Sequence, residues 1–175
     1  RSLQEKEPLT KLIHGLNTLN EMFPTPKPIF VKIAPDLSER ELDDVVTVVH
    51  ETGSAGIIAT NTTVSREGLS IAPSKIQKIG AGGVSGAPIS KRSTDIIRYL
   101  YRRSDGTISL IGVGGVFSPE DAYEKIKCGA SLVELITGMI YQGPGVIKKI
   151  NRELAELLKR DGYSNIKEAV GASVK

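Results

Sequence analysis

The sequence predicts an α/β protein made of parallel β/α units, on two observations. Short β-branched runs recur at four places, and each is followed by apolar residues at helical spacing. Such an alternation is built either as an open doubly wound sheet or as a closed barrel, and periodicity does not choose between them.

Taken in order, the stretch up to about Met22 reads as a helix, with Leu9, Leu12, Ile13, Leu16 and Leu19 spaced for one face. It is a helix with no strand before it. Residues 28–35, PIFVKIAP, form a β-branched and aromatic run bounded by prolines, which suits a buried strand. Ser38 and Glu41 then fit a capping box, Leu42, Val45, Val46 and Val49 follow at helical spacing, and Gly53 offers the stop. Residues 56–60, GIIAT, predict the second strand. Its helix, marked by Ile96, Ile97, Leu100 and Tyr101, comes only after a long glycine-bearing connection. Residues 109–113, SLIGV, pair with a helix opened by Ser118 and Pro119 and stopped near Gly129. Residues 131–135, SLVEL, pair with a helix carrying Ile147, Ile150, Leu154, Leu157 and Leu158.

Four units cannot close an eight-stranded barrel, and half a barrel leaves an open strand at each end. If the fold is a barrel, the remainder comes from another chain, from a polypeptide cut from this one, or from further sequence. The start, RSLQEKEPLT, has neither an initiating Met nor a signal pattern and reads as internal. No internal domain boundary, low-complexity segment or convincing repeat is visible.

Composition narrows the function classes. With 175 residues, 39% apolar and 25% charged, the chain has the make-up of an ordinary globular protein with material for one core. The net charge of +3 arises from 23 basic and 20 acidic residues scattered along it, so no basic stripe marks a nucleic-acid partner. The single cysteine, Cys128, excludes an intrachain disulfide, and two histidines with one cysteine argue against structural zinc. No apolar run approaches the roughly 18 residues that span a bilayer.

Several residues are candidates for chemistry. Lys32 interrupts an apolar strand, where a buried ammonium needs either a structural carboxylate partner or an anionic ligand, the other reading being a lysine that reaches out at a strand end. Asn61, Thr62 and Thr63 follow the second strand directly, where amide and hydroxyl groups serve equally as turn residues or as hydrogen bonders for an amide-bearing ligand. The roughly thirty-residue connection after them is far longer than the usual about 2–6, and predicts a lid, a binding loop or disorder. Its end runs Gly80-Ala81-Gly82-Gly83-Val84-Ser85-Gly86, either a hinge or a backbone bared to a ligand; Ser85 breaks the dinucleotide fingerprint. Gly112, Gly114 and Gly115, with Thr137 after the last strand, fit a phosphate site of the kind barrels build from their last two loops, or simply tight turns. His14, His50 and Cys128 read as structural. Lys148, Lys149, Arg152, Lys159 and Arg160 read as the solvated face of the last helix.

The strings VKIAPDL, TNTTVSR, GGVSG, IGVGG and GYSNIKEAVGA, in that order and spacing, resemble class 2 dihydroorotate dehydrogenases over nearly the whole chain. The resemblance implies a TIM (β/α)8 barrel of which residues 1–175 supply about the last four β/α units, the C-terminal half of one FMN-binding domain. It implies an oxidoreductase of pyrimidine biosynthesis that oxidises dihydroorotate to orotate and passes electrons to a membrane quinone. By the family pattern Lys32, Thr60, Ser85, Gly86, Gly114, Gly115, Ile136 and Thr137 contact FMN, with Gly114, Gly115 and Thr137 at its phosphate and Lys32 at the isoalloxazine. Asn61 and Thr62 contact the substrate, and no metal is involved.

The family's serine base lies in an Asn-x-Ser-x-Pro-Asn stretch expected a few residues before Arg1, and Ser2 is not that serine. The resemblance therefore implies no catalytic residue here and no turnover by this chain alone. It implies an N-terminal half-barrel as partner. The quinone tunnel and a peripheral attachment to the mitochondrial inner membrane, or to a bacterial inner membrane, belong to N-terminal helices outside the chain. Two positions depart from the pattern: Ile136 stands where Tyr is common, and Glu134 where Gln is. The alternatives are another FMN- or phosphate-binding TIM-barrel oxidoreductase, such as a class 1 enzyme or the related domain of dihydropyrimidine dehydrogenase, and a non-catalytic half-barrel fragment that needs its partner half.

Overall fold

The computed structural model describes residues 2–174. Four strands, β1 (Phe30–Ile33), β2 (Gly56–Ala59), β3 (Ser109–Val113) and β4 (Leu132–Glu134), form one parallel sheet in chain order. One register row aligns Lys32 with Ile58, Ile111 and Leu132; the row before it aligns Val31 with Ile57 and Leu110. Besides short 3-10 turns at Ser2–Gln4 and Ala87–Ile89, the described residues form eight α-helices: α1 (Lys6–Asn20), α2 (Glu39–Thr52), α3 (Pro73–Ile79), α4 (Ser90–Arg103), α5 (Pro119–Lys127), α6 (Thr137–Gln142), α7 (Gly145–Arg160) and α8 (Ile166–Ala169).

Side chains alternate across a strand, so burial reports which face is covered. Val31, Ile33, Ile57, Ala59 and Leu110 are buried in one cluster with Leu42, Val45 and Val49 of α2 and Ile96, Ile97 and Leu100 of α4. Lys32 and Leu132, on the alternate row, are exposed, and Ile58 and Ile111 are only partly covered. Helices thus pack on one face, and strand order never reverses. A doubly wound sheet reverses its order and covers both faces, so the arrangement is a segment of a β/α barrel. Each fully buried Leu, Ile or Val of the covered face contributes roughly 1.5–3 kcal/mol.

Two capping boxes start the helices that follow β1 and β3. Glu41 N–H donates to Ser38 Oγ at 3.4 Å and Ser38 N–H to Glu41 Oε2 at 2.7 Å, and α2 ends at Gly53. At α5, Asp121 N–H donates to Ser118 Oγ at 3.2 Å, Ser118 N–H to Asp121 Oδ2 at 2.9 Å, and Pro119 occupies the first helical position. Each leaves fewer orphan amides at the helix start.

Four expectations change. α1 stops at Asn20 and buries only Leu9 and Ile13, while Leu12, Leu16 and Leu19 are exposed, because α2 covers one line of its apolar stripe. α7 buries Val146, Ile150 and Leu154 but leaves Ile147 exposed. The long connection is not structureless: Thr63 and Val84 form an antiparallel bridge across its base, and α3 lies within it with no buried residue. α6 was not expected, since six residues are too few to display a helical period. No helix among the described residues is long and apolar enough to cross a membrane.

Candidate active site

The C-terminal ends of the four strands and the end of the long connection surround one open cleft. Lys32, Thr60, Asn61, Thr62, Ser85, Gly86, Gly114, Gly115, Ile136 and Thr137 all line it, together with Ile89, Val113, Val116, Leu135 and Gly138. Parallel β/α architecture explains the gathering, because every loop after a strand emerges on the same rim.

The backbone holds these groups in place. Thr60 N–H donates to the Val113 carbonyl at 2.8 Å, tying the end of β2 to that of β3, and Asn61 N–H donates to the Ile33 carbonyl at 2.7 Å. The Ala59–Thr60 peptide is cis. Thr60 is 2% exposed and its Oγ1 has no hydrogen-bond partner among the described residues. Asn61 and Thr62 are exposed. Asp36, after β1, accepts from Thr63 Oγ1 and from Val64 N–H, the latter at 3.2 Å. Arg92 Nε and Nη2 donate to the Pro35 and Leu37 carbonyls at 2.9 and 2.7 Å, which steadies the turn bearing Asp36. Neither Asp36 nor Arg92 stood out in the sequence, since a carboxylate after a strand and a helical arginine carry no period or motif of their own.

The far side of the cleft belongs to hydroxyls and bare backbone. Ser85 Oγ and Thr137 Oγ1 lie 3.0 Å apart, joining the end of the connection to the first residue of α6. Gly86 is buried at φ 82°, and a Cβ there would meet Thr137 Cγ2 at 2.9 Å; only glycine fits. At Gly115 a Cβ would lie 2.3 Å from Ser90 Cβ, so this glycine permits close packing of the β3 turn on α4. Of the run from Gly80 to Gly86, only Ser85 and Gly86 reach the cleft, while Gly80, Gly82 and Gly83 sit beside Arg66 and α3.

Of the readings open for Lys32, the structure agrees with the side chain that reaches out and is not buried. Lys32 is exposed and forms no hydrogen bond or ion pair among the described residues, because it lies on the face that this chain's helices do not cover. The buried lysine is Lys125 of α5, at 0% exposure. Ile136 is 58% exposed on the cleft wall, and Glu134, the last residue of β4, is also exposed. His14 and His50 are exposed on α1 and α2, Cys128 is a buried free thiol, and the basic residues of α7 are solvated. Among the described residues lining the cleft there is no histidine, cysteine or carboxylate, and Lys32 is the one charged group.

Fold and cleft define the class: a segment of a β/α barrel with a polar ligand site on its C-terminal face. The dihydroorotate dehydrogenase family profile matches residues 1–158, and the chain belongs to that family. It is 51% identical over 156 residues to a dihydroorotate dehydrogenase (quinone) of Christiangramia forsetii, covering 89% of this chain and 45% of that protein. It is 45% identical over 179 residues to the protein of the same name in Nostoc punctiforme, covering 100% of this chain and 47% of the relative. The crystal structure of a ligand-free DHODH from Eimeria tenella superposes with a TM-score of 0.91 at 34% identity, over 99% of this chain and 52% of that one. The chain therefore spans about half the length of the relatives it matches.

Proposed function

We propose that this chain is the C-terminal half of an FMN-dependent dihydroorotate dehydrogenase that uses a quinone acceptor, an enzyme of pyrimidine biosynthesis. One observation carries the proposal: the eight residues that the family pattern assigns to FMN and the two it assigns to substrate all line one cleft. Family membership, and relatives named for quinone at 45–52% identity, support the same reading.

The cleft's chemistry fits FMN. A buried Thr60 hydroxyl and a Lys32 ammonium that have no partner among the described residues, a hydroxyl pair on Ser85 and Thr137, and glycine backbone at Gly86, Gly114 and Gly115 suit a phosphate and a polarised ring system. Gly114, Gly115 and Thr137 would hold the phosphate, and Lys32 the isoalloxazine. When bound, FMN supplies the two-electron acceptor. Lys32 contributes a positive charge that favours electron-rich rings beside it. Asn61, with a donor and an acceptor on one amide, and Thr62 orient an amide-edged substrate such as dihydroorotate. The family resemblance assigns removal of the carbon-bound proton to a serine expected upstream of Arg1, in the half not contained in this sequence, while the hydroxyls and the ammonium of this cleft would bind and orient the ligands. The same missing half carries the quinone route and the attachment to an inner membrane, mitochondrial or bacterial, where a lipid-soluble acceptor resides.

The test is reconstitution. The purified chain is assayed for dihydroorotate-dependent dye reduction and for visible flavin absorbance, alone and after assembly with the complementary half-barrel. Turnover and yellow colour are expected only in the assembled protein. Turnover by the chain alone would overturn the assignment of the base, and an assembled protein that never retains FMN would overturn the flavin site.

A further inference from the structure

Lys125 is the largest side chain buried completely in the protein. Its stem passes Gly112 of β3, where an added Cβ would lie 3.3 Å from Lys125 Cδ. Its Nζ donates to Thr94 Oγ1 at 3.0 Å, to Ser93 Oγ at 3.1 Å and, more weakly, to the Ser90 carbonyl at 3.5 Å. All three partners are neutral, and no carboxylate forms a salt bridge with it among the described residues. They also lie in the first turns of α4, the positive end of that helix dipole, where a cation is disfavoured. A sealed ammonium in such a place is costly, and the hydrogen bonds and the charges of Glu124 and Asp121 on its own helix offset only part of that cost.

The same hydrogen bonds lead to the cleft. Ser93 Oγ, accepting from Lys125, donates to the Val113 carbonyl at 2.7 Å, the carbonyl that also receives Thr60 N–H. Ser90 Oγ donates to the Gly115 carbonyl at 3.1 Å. Added Cβ atoms on Gly115 and Gly114 would meet Ser90 Cβ at 2.3 Å and Ser93 Cβ at 3.2 Å. The first turn of α4 is thus the mould on which the Gly114–Gly115 turn is pressed, and Lys125 braces that mould from behind.

We propose that Lys125 is a positioning residue for the phosphate end of the cleft: it fixes the Gly114–Gly115 turn through Ser90 and Ser93 and supplies a sheltered positive charge to the dianion held there. The proposal rests on the FMN reading above. It accounts for both the cost and the placement, because an anion at the turn that Ser90 and Ser93 hold would add to the partial compensation from Glu124 and Asp121. Burial, the largest influence, pulls the Lys125 pKa down to about 8, while Glu124 and Asp121 of its own helix and Cys128 at that helix's end act upward. Ser90, Ser93, Thr94 and Gly112, which face it from α4 and β3, carry no charge.

The test compares FMN with riboflavin, which lacks the phosphate, as ligands of the assembled two-half protein, read by flavin fluorescence. Lys125→Met is expected to weaken FMN about tenfold while riboflavin affinity stays within about twofold, and Lys125→Arg to keep most of the preference for FMN. Equal losses for both flavins, or none for either, would show a spacer with no phosphate role and overturn the proposal. Should Lys125→Met fail to fold, the wild type and Lys125→Arg are compared between about pH 7 and about pH 9. The wild type's FMN-to-riboflavin preference is expected to shrink as Lys125 loses its proton, and the Arg variant's to stay level; parallel behaviour of the two would overturn the proposal. A wild type that binds no FMN overturns the flavin reading itself, an outcome distinct from a change in the gap between the two flavins.

Discussion

Leu110 and Ile111 are neighbours on β3 with opposite fates. Leu110 is fully buried beneath α4 and among the core residues of β1 and β2, whereas Ile111 points to the face that no helix of this chain covers and is only partly buried. The two lysines repeat the contrast. Lys125 lies sealed behind the covered face, and Lys32 stands exposed on the other. The covered face is complete in this chain and holds the fold together. The candidate ligand groups gather at the C-terminal rim of the sheet, with Lys32 on the open face, so stability and candidate chemistry fall on different parts of one sheet.

That division can be broken most directly at the neighbours. Leu110→Ala is expected to destabilise this chain by about 3 kcal/mol and Ile111→Ala by under about 1 kcal/mol in urea unfolding. Adding the complementary half should raise the cost of Ile111→Ala into the range of a core truncation. Equal costs in the lone chain would erase the distinction between the faces.

The lysines give a pH-resolved version, of similar size at most. Lys125 is held at about 8 by burial, against 10.5 for an unhindered lysine. Below about pH 8 folded and unfolded chains both carry the proton, and the fold bears the full penalty of a buried charge. Between the two values the unfolded chain binds more protons, so this group makes stability rise with pH, by up to about 3 kcal/mol. The difference in urea midpoint between wild type and Lys125→Met should therefore change from about pH 8 upward. A difference flat with pH would place Lys125 in solvent. A smaller effect tests the helix that carries it: Ser118→Ala removes the cap of α5 and is expected to cost about 1 kcal/mol, seen as a lowered thermal midpoint.

Most of the covered face was legible in the sequence because its signals are local. β-Branched runs, the Ser38 and Ser118 caps and the apolar stripes of α2, α4 and α7 each declare an element within a dozen residues. The rim was legible for another reason: Asn61, Ser85, Gly114 and Thr137 follow strands or close a loop, and parallel topology delivers such positions to one edge. What escaped notice depends on contacts distant in sequence. The burial of Lys32 stayed open in the sequence because periodicity cannot say which of two strand faces is covered. Lys125 carried no signal in the sequence because its partners Ser93 and Thr94 lie some thirty residues upstream. Asp36 and Arg92 act on the Thr63 hydroxyl and on backbone groups whose positions no residue pattern encodes.

The bridge between Thr63 and Val84 gives the long connection a separable character. Both of its ends are stitched side by side, and the groups that serve the cleft, Asn61 and Thr62 before the stitch and Ser85 and Gly86 after it, lie outside the loop so closed. The roughly twenty residues between are a detachable appendix, joined to the rim as a pendant is joined to a ring. A protease nick, a shortened replacement or an inserted domain within that appendix would leave the rim's geometry in place, which makes it the natural port for engineering a lid of a different size.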